Sequence, residues 1–132
     1  MKTDTVTRSF LIVFLLSTAG CTTLDDARIA KGTGSFRLYD ASFDVVWDAA
    51  VRAVYDVGLY IESKTKNEGY ILAWRDISSF SLGENVAVFV DRADNQRTRV
   101  EVVSLKVMPT NIFAPNWETP ILNRISERLG EK

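Results

Sequence analysis

The sequence predicts an α+β domain: an antiparallel sheet of about five strands, one helix packed on it, and a second helix at the C-terminus. Three observations lead there. Residues 43–57 carry apolar side chains at helical spacing. After Gly58, alternating segments rich in β-branched residues follow one another with turns between them. An apolar-periodic segment that opens with proline then closes the chain. Consecutive strands joined by turns pair antiparallel, and flanking helices bury their apolar stripe on the resulting sheet.

The elements follow in order. Ser35 to Tyr39 reads as a strand with Phe36 and Leu38 on one face. Asp40-Ala41-Ser42 is a helix-start signal, and Asp44 falls in the first turn, where the helix dipole favours a negative charge. Phe43, Val46, Trp47, Ala50, Val51 and Val54 form one stripe of that helix. Gly58 is a natural left-handed stop. Leu59 to Lys64 and Tyr70 to Arg75 alternate on either side of Lys66-Asn67-Glu68-Gly69, the pattern of a hairpin. Ile77 to Glu84 reads as a serine-rich loop, Val86 to Val90 and Thr98 to Val107 as strands, and Asp91 to Arg97 as a charged turn. Pro109 to Pro115 is irregular. Thr119-Pro120 then resembles a cap with proline at the first helical position, and Trp117 is placed to staple that start. Ile121, Leu122, Ile125 and Leu129 give the closing helix its apolar face, and Gly130 stops it.

Composition narrows the chemistry. The 132 residues contain no histidine, which removes Ser-His-Asp and Cys-His catalysis together with the commonest metal ligand. One cysteine allows neither an internal disulfide nor a Cys-rich zinc site. A net charge of -1 without a basic stripe argues against nucleic acid as a partner. No cofactor or metal is expected, and the chain is read as non-enzymatic.

The N-terminus is the most informative segment. Lys2 and Arg8 lie in a polar stretch, followed by Phe10-Leu11-Ile12-Val13-Phe14-Leu15-Leu16, then Ser17-Thr18-Ala19-Gly20 and Cys21. A basic start, a short apolar run and a small-residue exit make a secretory signal. The run falls well short of the ~20 apolar residues of a membrane-crossing helix. Thr18-Ala19-Gly20-Cys21 resembles the bacterial lipobox, with threonine where leucine is usual. That resemblance implies a signal peptide over 1–20, cleavage between Gly20 and Cys21, and a lipid on Cys21 that anchors the chain to a membrane. Two further readings fit the same residues: cleavage after Ala19 by an ordinary signal peptidase, and an N-terminal element buried in a cytosolic protein. Thr22 stands where aspartate retains a lipoprotein in the inner membrane, so the resemblance implies the outer membrane, facing the periplasm. Residues 21–33 are expected to be a lipidated cysteine and flexible tether, spanning roughly 20 Å as a random coil. Residues 34–132 are the single domain.

Tyr39-Asp40-Ala41-Ser42-Phe43-Asp44-Val45-Val46-Trp47-Asp48-Ala49-Ala50, followed by Gly58-Leu59-Tyr60-Ile61-Glu62 and Gly69-Tyr70-Ile71-Leu72-Ala73, resembles small bacterial outer-membrane lipoproteins of uncharacterised function. These carry a helix-grip domain like that of BamC (the NlpB/DapX family). The resemblance implies the fold and an accessory role in the cell envelope, and it carries over no active site.

Four candidate surfaces remain. Phe80, Leu82, Ile112 and Phe113 are apolar residues in polar or irregular loops, suited to contact an envelope protein or the membrane; alternatively, each loop folds back to cap the core. Trp47, Trp74, Trp117, Tyr60 and Tyr70 are either core or the lining of a helix–sheet groove that carries an apolar small molecule or lipid. Asp40, Asp44 and Asp48 are either solvated helix acids or a cation or acid–base cluster. Arg92, Arg97 and Arg99, mixed with Asp91 and Asp94, fit a solvated face better than a phosphate site.

Overall fold

Segments rich in β-branched and aromatic residues, bounded by turns, form five strands: β1 (Ser35–Tyr39), β2 (Tyr60–Thr65), β3 (Tyr70–Arg75), β4 (Glu84–Arg92) and β5 (Thr98–Lys106). The helices are α1 (Leu24–Ile29), α2 (Phe43–Asp56) and α3 (Glu118–Leu129). The computed structural model describes residues 20–79 and 81–131, so the expected signal peptide, apart from Gly20, lies outside the described residues, as does Phe80. The fold is α+β, with one open antiparallel sheet in the order β1-β5-β4-β3-β2.

Register decides which side chains share a face. Val88 pairs with Val102 and Val90 with Val100, so these valines lie on one side of the sheet together with Val86, Ile71, Ala73 and Tyr39. Onto that face α2 brings Val46, Trp47, Ala50, Ala53 and Val54, and α3 brings Ile121, Leu122 and Ile125. These side chains, with Leu59 and Trp117, form the main core.

The element boundaries move by a residue or two from those read in the sequence, mostly at β2, β4 and α3. Trp117 itself takes the N-cap position of α3 and Pro120 sits in its first turn, where the backbone has no intrahelical acceptor for an N–H. Gly69 closes the β2–β3 turn at φ +71°, and a Cβ there would come within 2.3 Å of the Val90 carbonyl oxygen.

The segment expected to be a flexible tether is folded. Residues 24–29 form α1, and the chain on either side of it lies against the opposite face of the sheet. Thr23 and Asp26 make a reciprocal capping box at its start. Ala27 is fully buried against Ala87, Phe89 and Val103, with Ala30, Tyr70, Leu72 and Leu105 around it. A helix of this length is marginal by itself, and the surface it covers supplies the stabilisation. Because α1 covers the second face, β4 is buried on both sides from Glu84 to Val90. The tether reading fails because only small side chains face inward, and alanine leaves no amphipathic stripe to read.

Candidate functional site

The strand directions give the sheet two distinct ends. At one end lie the close of β3, the start of β4, the close of β5 and the start of α3. Residue 22 enters at the same end. Thr22 donates its backbone N–H to the Val107 carbonyl at 2.9 Å, and its own carbonyl accepts from Asn85 Nδ2 at 2.8 Å. The Thr22 hydroxyl also donates to the Lys106 carbonyl. Cys21 precedes this fastening and is exposed. The residue that the lipobox resemblance marks for lipidation is therefore held beside the β5–α3 segment.

Two loops lie at this end: one whose described residues are 76–79 and 81–83, and residues 107–117. A buried polar cluster ties them together. Ser81 donates its hydroxyl to Glu84. Asn111 Nδ2 donates to Ser81 Oγ at 3.1 Å, and the Trp117 indole N–H points to Glu84 Oε2 at 3.4 Å. Ser81, Glu84, Asn111 and Trp117 are all buried. Burial pushes the Glu84 carboxyl above its ordinary value, and the Trp117 N–H and the Arg75 charge oppose that shift only in part. Arg75 lies over the Trp117 ring, 5.1 Å from its centroid.

This cluster caps the end of the core in place of the loops' apolar tips. Ile112 and Phe113 are 75% and 78% exposed, and Ile77 is 69% exposed. Leu82 and Met108 are also exposed. The structure thus brings Leu82, Ile112 and Phe113 to the end of the sheet at which Cys21 also lies. Sequence reasoning missed Ser81, Glu84 and Asn111. Ser81 and Asn111 lie 30 residues apart, and Glu84 reads as the polar end of a loop.

A second buried glutamate fastens the N-terminal segment. Glu101, on the α1 side of the sheet, accepts from the backbone N–H groups of Gly32 and Gly34 and from Arg99 Nη1 at 2.8 Å. Burial alone raises its carboxyl, but the Arg99 and glycine N–H donors outweigh that and hold it below the ordinary value. Gly34 packs so closely on β5 that a Cβ there would meet the Val102 carbonyl oxygen at 2.0 Å.

The other candidates disperse. Trp47 and Trp117 are core residues, whereas Tyr60, Tyr70 and Trp74 lie on the α1 side of the sheet, so the five aromatics line no common groove. Tyr60 and Trp74 pair across strands, with ring centroids 5.1 Å apart. Asp44 is exposed and pairs with Lys66 at 2.8 Å, which keeps its carboxyl below the usual range; Asp40 and Asp48 are exposed. The arginines also separate: Arg97 pairs with Asp94, Arg92 covers the Phe43 ring, and Arg99 bridges Phe36 and Glu101. Most of these charges sit at the end of the sheet opposite Cys21. A recess of about 190 Å³ there is lined mainly by polar side chains, among them Ser42, Asp44, Arg92, Arg97 and Thr98.

Among the described residues, no group of three or more Cys, Asp or Glu side chains is arranged to hold a metal, and no helix is long and apolar enough to cross a membrane. Comparison with known proteins returned no matching family model and no matching curated relative.

Proposed function

We propose that this chain is a lipid-anchored, non-enzymatic accessory module of the bacterial cell envelope, attached through Cys21 and holding its domain on the periplasmic side of the outer membrane. The observation that carries the reading is the run from Phe10 to Cys21, an apolar stretch with a small-residue exit that ends at the chain's one cysteine. Cys21 is exposed and sits at the edge of the folded domain, a position open to modification. An unpaired thiol in an exported protein is a liability that lipidation removes. One acyl chain holds only marginally, whereas the two or three carried by a lipobox cysteine hold durably, at about 0.8 kcal/mol per buried methylene.

The non-enzymatic part of the reading draws on three acidic side chains that are already engaged. Glu101 is saturated by donors, Glu84 is closed off within the loop cluster, and Asp44 is paired on the surface. Glu84 and Glu101 have structural parts in the fold, and Asp44 is tied up in a surface ion pair. The resemblance to small envelope lipoproteins points the same way by analogy.

Cross-linking in intact cells, with tagged full-length protein captured and read by mass spectrometry, tests this reading. The expected result is reproducible enrichment of one envelope protein, lost in the Cys21→Ser variant. Equal capture of cytosolic and envelope proteins, unchanged by Cys21→Ser, contradicts it.

A further inference from the structure

We propose that the loop end of the domain lies on the lipid surface that takes the Cys21 anchor, with Ile77, Leu82, Met108, Ile112 and Phe113 entering the interface. The inference rests on the anchor reading and extends it from an attachment point to an orientation.

Two independent observations meet here. The first is the absence of slack. Thr22 is hydrogen-bonded through its carbonyl to Asn85 of β4, through its hydroxyl to Lys106 of β5 and through its N–H to Val107 just after β5, so the domain begins one residue after Cys21. One residue spans at most ~3.6 Å. An acyl chain on Cys21 cannot enter a bilayer unless this end of the sheet sits at the headgroups.

The second is the segregation of surface chemistry. The anchored end carries five exposed apolar side chains on two loops, with Asp76 and Lys106 as exposed charges among them. The far end carries Asp40, Asp44, Lys66, Arg92, Asp94 and Arg97 around its turns. Apolar tips flanked by polar backbone suit the interfacial zone of a bilayer, and a charged pole suits water. The buried cluster of Ser81, Glu84 and Asn111 gives the loops a polar floor, so the tips stay outward instead of collapsing onto the core.

The test uses full-length, lipidated protein in vesicles of phosphatidylethanolamine and phosphatidylglycerol. With the Cys21 sulfur occupied by lipid, Ile112→Cys or Asn95→Cys supplies the one thiol for an environment-sensitive dye. Both positions are exposed, and circular dichroism checks the fold. A blue-shifted dye at position 112, quenched by lipids bearing a nitroxide on the acyl chain, is the expected result, with the dye at position 95 remaining in water. A dye at 112 that stays in water, as at 95, overturns the inference. So does a blue shift that grows with protein concentration and resists the lipid quencher, because a second copy then covers the loops. Intact mass of the same sample reads the anchor separately. An unmodified Cys21 overturns the anchor reading and this inference together, whereas a lipidated chain with a water-exposed dye at 112 overturns this inference alone.

Discussion

Thr22 and Val107 are joined by a backbone hydrogen bond of 2.9 Å, which fixes the start of the folded domain one residue after Cys21. The hold on this segment depends on Ala27, whose side chain is fully buried between α1 and the sheet. Ala27→Asp places an unpaired carboxylate there, and undocking α1 is the cheapest relief. The expected loss is on the order of 2 kcal/mol in denaturant unfolding, together with fast amide exchange across 22–33. Unchanged exchange in that segment contradicts the packed α1.

Glu84 should make the domain less stable as pH rises. Its folded value is raised, so the native state holds its proton more tightly than the unfolded chain does. Its contribution is fully present below the ordinary value near 4.5 and declines as pH climbs through the raised folded value. Glu84→Gln keeps the size and an acceptor for Ser81 and removes the titration. The stability of wild type relative to Glu84→Gln, from urea titrations across pH 4 to 8, should fall with rising pH; a rising or flat difference contradicts the buried cluster.

The opposite sign is expected of Glu101. Its folded value is lowered by Arg99 and two backbone N–H groups. Its contribution is present above the ordinary value near 4.5 and is lost as pH falls through the lowered folded value. Glu101→Ala leaves Arg99 and the Gly32 and Gly34 donors without their acceptor, at a cost of about 3 kcal/mol at neutral pH. Equilibrium unfolding of Glu101→Ala and Glu101→Gln measures this, and the gap between wild type and Glu101→Gln should close on acidification.

Tyr39 tests the clamp between β1 and α3. Its hydroxyl donates to the Leu122 carbonyl at 2.8 Å inside the core. Tyr39→Phe preserves the ring and should cost about 1 kcal/mol. That carbonyl also accepts from Arg37 and Ser126, so it does not become an orphan. A cost several times larger would mean that the ring itself shifts.

How far the sequence could be read follows from the range of each interaction. The β1 and β3 bounds were legible because a short β-rich run between turn signals is a local pattern, and both strands pair along their full length. The stripe of α2 was legible for the same reason, from Val46 and Trp47 through Val54. The helix at 24–29 was not, since its one fully buried residue is alanine and its stabilisation comes from Phe89 and Val103, far along the chain. Ile112 and Phe113 stood out as apolar residues in an irregular segment. That they are exposed at the same end of the sheet as Cys21 depends on Asn111 meeting Ser81 and on Thr22 meeting Val107, pairings that no local pattern encodes. In sequence, Trp74 and Trp117 are both candidate lining of one groove, but strand register turns Trp74 to the α1 side of the sheet, whereas Trp117 packs into the main core at the start of α3.

The most direct measurement is the intact mass of the full-length protein recovered from bacterial membranes. The predicted species begins at Cys21 and carries a diacylglyceryl group with an additional N-terminal acyl chain. A soluble chain beginning at Gly20 with a free thiol, or one that retains Met1, would contradict the lipid anchor on which the functional reading stands.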